Sequence, residues 1–479
     1  MRTNSLTAIG GALLLVAGAS SAWAHQAATT APLTEAGQKL EAMYADQLGR
    51  LRAELTAGIP ASDAPVETLN RFLASDALDA TFAKYVVLLE ATPKGLAEFA
   101  QQGKEQAALV EKLLADADLM TQMLVADGAN ARREGRGYGP AQYGPALTIY
   151  ADIQKASPKA ATGVLQRLAL AIGLEHAVPI AQENPKARTD ARDTIDPVKR
   201  YLHYEKAFLD GELDPAFERL GTWELRMVVN GNEPDETLAW GRAMLRNYRP
   251  DHVFNPDYGW RYVNIVGSDI KYGSQDVKYD RPELQNYQNI LMNGGVCGRR
   301  AFFGRFILRA FGIPTTARPQ SGHAALAHWT PAGWVVNLGG GWGSGWTNTR
   351  YHHDVDFLAT TQARNNREAF LKVKRAQWAG DVLGEKRSYG EHDPGDGFWN
   401  GVALRTQRAI IEESKAVTLE ALGTDLGEAT ESKVAAKVSA SPVTAENTVI
   451  TYGKDGVITI PAAAYGKPSG NTREVFAMP

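Results

Sequence analysis

Residues 294–301 read GGVCGRRA and contain the single cysteine of the chain, Cys297. The apolar residues that follow recur at helical spacing, and the motif Gly312-Ile313-Pro314 ends the pattern. The sequence therefore predicts one helix over residues 296–311, with the cysteine in its first turn. Because the residues that suggest chemistry follow this helix closely, it decides both the fold prediction and the site prediction.

Three short strands are predicted after this helix, over residues 315–318, 324–329 and 334–338. The tetrapeptide TPAG at residues 330–333 separates the last two strands and is typical of a hairpin turn. His323 stands at the start of the second strand, 26 residues after Cys297, and Asn337 lies on the third strand. A cysteine, a histidine and an amide are thus expected on a helix start and on two neighbouring strands.

This combination of residue types suits nucleophilic catalysis by a thiol. The free N–H groups and the positive dipole end of a helix start stabilise a thiolate, and Arg299 and Arg300 add positive potential. A histidine on a strand packed against the helix accepts the thiol proton and later protonates a leaving amine. A third group on the next strand holds the imidazole in one tautomer. The glycines at positions 294, 295 and 298 let a substrate backbone approach the sulfur.

The stretch resembles the transglutaminase-like superfamily of papain-type cysteine enzymes over roughly residues 255–340. The matching pattern is a glycine-rich turn, a cysteine that starts a helix, the exit AFGIP at residues 310–314, a His-Ala pair on a strand and a strand led by tryptophan. The resemblance implies Cys297 as the nucleophile, His323 as the general base and a cysteine-bearing helix packed on an antiparallel sheet. It implies no cofactor.

Two positions depart from the family pattern. The third member of the family is usually an aspartate four residues after the tryptophan of the strand, whereas Asn337 follows Trp334 by three residues. Asparagine can orient an imidazole but stabilises imidazolium less than a carboxylate, and a one-residue shift exchanges strand faces unless a bulge corrects it. Asn337 is therefore the candidate third catalytic residue, with Asp354 or Asp356 as alternatives. Ala325 stands where the family often has an aromatic residue, so we expect a wider or differently lined cleft.

Several nearby side chains have competing interpretations. His328 shares the predicted strand with His323, and we interpret it as structural because only His323 fits the family pattern. The N–H of the cysteine is the first candidate oxyanion donor; Trp260 is a weaker one, with a core position as its alternative. Trp342 and Trp346, in a glycine-rich loop, are weak candidates for substrate binding by stacking on a flat apolar face such as a sugar ring. No strict metal-ligand spacing is present, so no metal site is expected.

The composition narrows the class of protein. The chain has 479 residues, a formal net charge of −3 and a sequence pI of about 6.3, so its overall charge favours neither nucleic acid nor an anionic membrane. One cysteine excludes an intrachain disulfide and a CxxC zinc site. Residues 1–24, with Arg2, an apolar run and the motif AWA at its end, are typical of a secretory signal peptide. We therefore expect a periplasmic or secreted protein without a membrane segment after cleavage.

The fold class predicted from these patterns is α+β, with a helical N-terminal domain, a transglutaminase-like core and a small C-terminal β segment. Residues 248–290 are rich in Tyr, Asn, Asp and Gly with short Val/Ile runs, which indicates short strands and loops. The predicted divisions are 1–24 for the signal peptide, 25–247 for the helical domain, 248–360 for the catalytic core, 361–416 for a helical extension of the core, 417–447 for a linker or helix and 448–479 for the β segment.

The leading functional expectation is an exported thiol-dependent amide hydrolase or acyltransferase. It forms a thioester on Cys297, and its expected substrate is a peptide, a peptidoglycan-like polymer or a glycan. One alternative is a polysaccharide-processing hydrolase or lyase on the same fold, which is expected to retain glycan activity without the cysteine. The other is a non-catalytic binding module with a degenerate triad, which is expected to have an unreactive thiol.

Overall fold

The described part of the protein is largely helical and contains a small three-stranded sheet. The structure, a computed structural model, describes residues 32–129, 140–182, 194–255, 261–273, 285–320, 323–331, 333–337, 354–390, 397–413, 451–452 and 458–459. About 70% of these residues are helical, and a three-stranded antiparallel sheet lies beside the helix that Cys297 begins. The α+β expectation is thus confirmed in this coarse form, with a larger helical share.

The secondary-structure elements follow one another in a long helical series before the sheet. The α-helices are α1 (Glu35–Gly58), α2 (Val66–Ala74), α3 (Asp79–Ala91), α4 (Pro93–Ala100), α5 (Lys104–Ala115), α6 (Ala117–Val125), α7 (Tyr143–Ala156), α8 (Gly163–His176), α9 (Pro197–Leu209), α10 (Thr222–Val229), α11 (Asp235–Tyr248), α12 (Pro250–Val253), α13 (Asn264–Ser268), α14 (Gln285–Asn293), α15 (Cys297–Ala310), α16 (Asp354–Arg364), α17 (Arg367–Leu383) and α18 (Phe398–Glu413). Two 3-10 helices cover Pro158–Ala161 and Pro215–Arg219. The strands are β1 (Thr315–Gln320), β2 (His323–Thr330), β3 (Gly333–Asn337), β4 (Thr451–Tyr452) and β5 (Ile458–Thr459).

The helices of the first half begin where the sequence supplies caps. Thr34 Oγ1 accepts a hydrogen bond from Gly37 N–H at the start of α1, and the Asp116 carboxylate caps α6 in the same way. Asp196 caps α9 just before Pro197, whose fixed φ suits the first helical position. The buried faces of these helices form one continuous hydrophobic core with the sheet and with α17. Helix α17 packs against α1, α2 and α3, while α16 contacts β3.

Strands β1, β2 and β3 form an antiparallel sheet in that order, with β2 in the centre. His323 pairs with Gln320 at one end, and Thr330 pairs with Gly333 at the hairpin end. There, Thr330 Oγ1 donates to the Gly333 carbonyl (2.7 Å), and the φ of +139° at position 333 requires glycine. The structure thus has the three predicted strands. In the predicted C-terminal β segment, β4 pairs with β5.

Helix α15 packs closely on the sheet because one of its residues is a glycine. Cys297 begins this helix, as predicted. At Gly304, a Cβ would lie 2.8 Å from Leu326 Cδ2 and 2.8 Å from Val263 Cγ2. The absent side chain therefore lets α15 approach both β2 and α13, and the neighbouring Phe303 fills the core.

The prediction of short strands over residues 248–290 is wrong for the described residues, which form α12, α13 and α14. Pro250 provides the first position of α12, and Phe254 N–H donates back to the Pro250 carbonyl (3.1 Å). The β-branched Val263 and Val266 are buried because α13 packs on α15, and not because they belong to a sheet. Burial against a helix therefore overrides the strand preference of these residues.

A buried charged cluster joins the N-terminal helices to α16 and α17. Asp127 follows α6 in the left-handed conformation (φ +71°) and accepts hydrogen bonds from Trp223 Nε1 (2.8 Å), Arg364 Nη2 (2.9 Å) and Lys374 Nζ (2.9 Å). The Arg364 guanidinium also lies 4.3 Å from the Trp223 ring centroid. Trp223 packs edge-on against Trp334 of β3, so the cluster also supports the sheet.

Lys374 is expected to make stability depend on pH. Burial lowers its pKa from 10.5 to about 8, although Asp127 opposes the shift. The unfolded chain therefore binds more protons than the folded chain between these two pKa values, and the free energy of unfolding is expected to rise by up to ~1.4 kcal/mol per pH unit from about pH 8 to pH 10. Urea unfolding of the wild type and of Lys374→Met measures this rise, which the substitution should remove.

The matched control is Lys372→Met, which removes an exposed lysine from the same helix. It is expected to keep the pH dependence of the wild type. If the free energy of unfolding rose equally with pH in the wild type and in Lys374→Met over this window, the prediction would be contradicted.

Gly304→Ala is expected to separate α15 from β2. The new Cβ overlaps Leu326 and Val263, and such overpacking typically costs about 1–3 kcal/mol. Gly298→Ala is the control on the same helix, because its Cβ meets no atom within 4 Å. That control should raise stability slightly, because alanine favours a helix over glycine by about 0.5–1 kcal/mol. Thermal unfolding distinguishes the two variants, and equal Tm values would contradict the close approach.

Candidate catalytic cysteine site

Two glycines shape the entry to α15. Gly294 has a φ of +84°, and a Cβ on it would overlap the carbonyl oxygen of Lys271. Gly295 N–H donates to that carbonyl (2.9 Å), and Gly273 N–H donates to the Gly295 carbonyl (3.3 Å). These bonds form a one-residue parallel bridge between Tyr272 and Gly295. The start of α15 is therefore fixed against a segment that lies more than 20 residues earlier in the chain.

Cys297 is partly exposed at the first position of α15. The preceding Val296 is extended, and its carbonyl accepts hydrogen bonds from Arg299 N–H (2.9 Å) and Arg300 N–H (3.1 Å). Among the described contacts, the N–H groups of Cys297 and Gly298 have no hydrogen-bond partner. Open space surrounds the Gly298 α-carbon, where a Cβ would meet no atom within 4 Å. The thiol therefore lies beside two unpaired donors and an accessible surface.

Helix α15 and strand β2 run in the same direction. Gly304 approaches Leu326 in the middle of the two elements. Further along both, Trp329 N–H of β2 donates to the carbonyl of Pro314, just after α15 ends (2.9 Å). The N-terminal ends of α15 and β2 therefore lie at the same end of the helix–sheet unit.

Cys297 and His323 are those two N-terminal residues. Cys297 precedes Gly304 by seven residues, which is about 10 Å along a helix. His323 precedes Leu326 by three residues, which is also about 10 Å along a strand. Cys297 and His323 thus lie at about the same distance, along α15 and β2 respectively, from the contact between Gly304 and Leu326.

The thiol and the imidazole are not joined in this structure. His323 is half-buried, and side chains three apart on a strand point to opposite faces, so His323 and Leu326 do not share the face that contacts α15. Among the described contacts, Cys297 Sγ makes no hydrogen bond, and thus none to His323. His323 is the first residue of β2, so its imidazole can contact the sulfur only by reaching around this end of the sheet.

The candidates for the third catalytic residue differ in their distance from His323. Asn337 is the register partner of Leu326, about 10 Å along the strand from His323. Asp356 is buried on α16 beside Phe357, whose ring packs against Trp334 at 4.7 Å. Because Trp334 pairs six residues beyond His323, this contact lies about 20 Å from it along the sheet. Asn337 therefore lies nearer to His323 along the sheet than the Trp334–Phe357 contact does, but it pairs with Leu326, whose face of the sheet His323 does not share.

The structure describes some of the remaining candidate residues and not others. Trp260, Trp342 and Trp346 lie outside the described residues, as do residues 1–24 and 417–447. His328 is buried in β2, with Thr315 as its register partner on β1. Asp354 begins α16.

The segment with Lys271 and Tyr272 is the part of the site that sequence reasoning missed. A single bridge to Gly295 holds it there, and one-residue pairings leave no periodic signal in a sequence. The glycine pair at positions 294 and 295 was the available sign, because consecutive glycines often mark a close backbone approach.

In the part of the chain that the structure describes, no three His, Cys, Asp or Glu side chains are grouped to hold a metal ion. Within the same residues, no helix combines the length and the apolar character needed to cross a membrane.

Comparison with known proteins gives no relative. No family model, curated protein or solved structure matches this chain. The resemblance to the transglutaminase-like superfamily therefore stays a prediction from residues 255–340. Any function has to be inferred from the residues around Cys297.

Proposed function

We propose that this protein is an exported cysteine enzyme of transglutaminase-like type, which hydrolyses or transfers acyl groups through a thioester on Cys297. One observation carries the proposal. The only cysteine of the chain is partly exposed at a helix start, beside two unpaired N–H groups, at the same end of the sheet as His323. Helix starts of this kind stabilise thiolates.

The proposed reaction begins when the Cys297 thiolate attacks an amide carbonyl carbon. The C–S bond forms as the carbonyl electrons move to oxygen, and the N–H groups of Cys297 and Gly298 bind this oxyanion. His323, which received the thiol proton, then protonates the leaving nitrogen as the C–N bond breaks. A water molecule or an amine then attacks the thioester carbon while His323 accepts its proton, the C–S bond breaks, and His323 returns the proton to the sulfur.

The imidazole has to reach the sulfur for this reaction. Catalytic hydrogen bonds are often long before substrate binds and tighten in the complex. We propose that substrate at the first turn of α15 draws His323, which ends its strand, towards Cys297. The third catalytic residue stays open between Asn337, Asp354 and Asp356, because Asn337 pairs with Leu326, whose face of the sheet His323 does not share. An amide in this role orients the imidazole without adding charge.

The fold proposal is a transglutaminase-like core built from α15 and β1 to β3. It is supported by the order of the elements, in which the cysteine helix precedes an antiparallel sheet and the histidine begins the central strand. Hydrolysis of an amide in a peptide or peptidoglycan-like substrate is the proposed default, since water needs no binding site of its own. Transfer to an amine requires a second site for the acceptor.

Thiol reactivity tests the proposal without knowledge of the substrate. Native Cys297 is expected to react with iodoacetamide at neutral pH at least ~10-fold faster than the same thiol in the urea-unfolded chain, because the helix start stabilises the thiolate. A panel of peptide and peptidoglycan fragments then reports hydrolysis, which Cys297→Ala should abolish and His323→Gln should lower by about 10²–10⁴-fold.

A second nucleophile provides the control. Ser268 Oγ lies 3.4 Å from His252 Nε2. Ser268→Ala is expected to leave hydrolysis unchanged. A native thiol that reacts no faster than the unfolded one would favour the binding-module alternative. Glycan degradation that survives Cys297→Ala would favour the polysaccharide alternative.

A further inference from the structure

An exposed apolar surface lies beside the proposed nucleophile. Tyr272, Met292 and Val296 are 55%, 60% and 46% exposed, respectively. Val296 directly precedes Cys297, and Met292 is in the last turn of the helix that leads into the glycine pair. Large apolar side chains with this exposure, grouped at one place, are typical of surfaces that bind a partner or substrate.

The position of Tyr272 is set by the bridge to Gly295. This bridge brings residue 272 next to the segment that enters α15. The Tyr272 ring also lies near a residue of α15, because the Arg300 guanidinium carbon is 5.8 Å from the ring centroid. The tyrosine ring therefore lies beside a side chain from the first turn of α15, the turn that also carries Cys297.

Two exposed cations accompany this surface. Lys271 precedes Tyr272, and Arg299 is in the first turn of α15, which has no acidic residue. Neither cation forms an ion pair among the described residues, in contrast to exposed lysines such as Lys39, which pairs with Glu35 at 2.7 Å. Lys271 and Arg299 therefore place two exposed positive charges beside this surface.

We infer that the acyl donor is an acidic peptide segment, with an apolar side chain next to the bond that Cys297 attacks. The inference rests on the proposed function and specifies its substrate. The apolar side chain contacts Tyr272 and Val296, while a carboxylate interacts with Lys271 or Arg299. The two cations belong to separate segments on either side of the bridge, which suits charges spaced along an extended chain better than one compact anion.

Charged and neutral alkylating agents test the electrostatic part of the inference. In both cases the thiolate displaces iodide and forms a thioether, so the rate ratio of iodoacetate to iodoacetamide cancels differences in thiolate content. The double variant Lys271→Glu and Arg299→Glu is expected to lower this ratio by about three- to tenfold at low salt, with a smaller change at high salt. The control is Lys104→Glu with Lys112→Glu, which makes the same charge change at exposed positions of α5.

Peptide chloromethyl ketones test the substrate class at Cys297 itself, through a thioether formed with loss of chloride. We expect acetyl-Glu-Leu to label Cys297 faster than acetyl-Lys-Leu and acetyl-Glu-Ser, and the double variant to reverse the preference for Glu over Lys. Equal labelling by Glu and Lys probes, or a ratio that the charge reversal leaves unchanged, would overturn the inference. A slow reaction of native Cys297 with iodoacetamide instead counts against the proposed function, so the two failures are distinguishable.

Discussion

The close approach of α15 to β2 at Gly304 is the contact on which the candidate site depends. A side chain at this position would overlap Leu326 and Val263, so glycine is what allows the helix to lie on the sheet at this distance. The contact also fixes how far α15 is shifted along β2. Because α15 and β2 run in the same direction from it, it determines that Cys297 and His323, the first residues of each, lie at one end of the unit.

The other side of the sheet is supported by residues far away in the sequence. Trp334 of β3 packs against Phe357 of α16 and Trp223 of α10, and Trp223 donates to Asp127. Asp127 also binds Lys374, 247 residues further along the chain. Removing one partner from such a buried cluster leaves an unpaired charge, which is strongly destabilising. The helical part of the protein is thus coupled to the sheet through charge as well as through apolar packing.

The sequence predicts the parts of this fold whose signals are local. Helix α15, the three strands and their hairpin turn depend on periodicity, glycine and proline, and all are present. Residues around Val263 have the composition of a strand but form a helix, because packing on α15 decides their conformation. The bridge between Tyr272 and Gly295 and the bonds to Asp127 join distant segments, and no local pattern encodes such pairings.

The residue before Cys297 illustrates how the proposed chemistry and stability compete. A serine, threonine or aspartate at an N-cap typically stabilises a helix by about 0.5–2 kcal/mol, because its oxygen accepts from the N–H groups of the first turn. Val296 makes no such bond, so the N–H groups of Cys297 and Gly298 stay available to an oxyanion. An aspartate there would accept from the N–H of Gly298 or Arg299, the second and third residues of the helix, and its charge would repel a thiolate. The apolar cap therefore gives up helix stability at the place where the proposed reaction needs free donors.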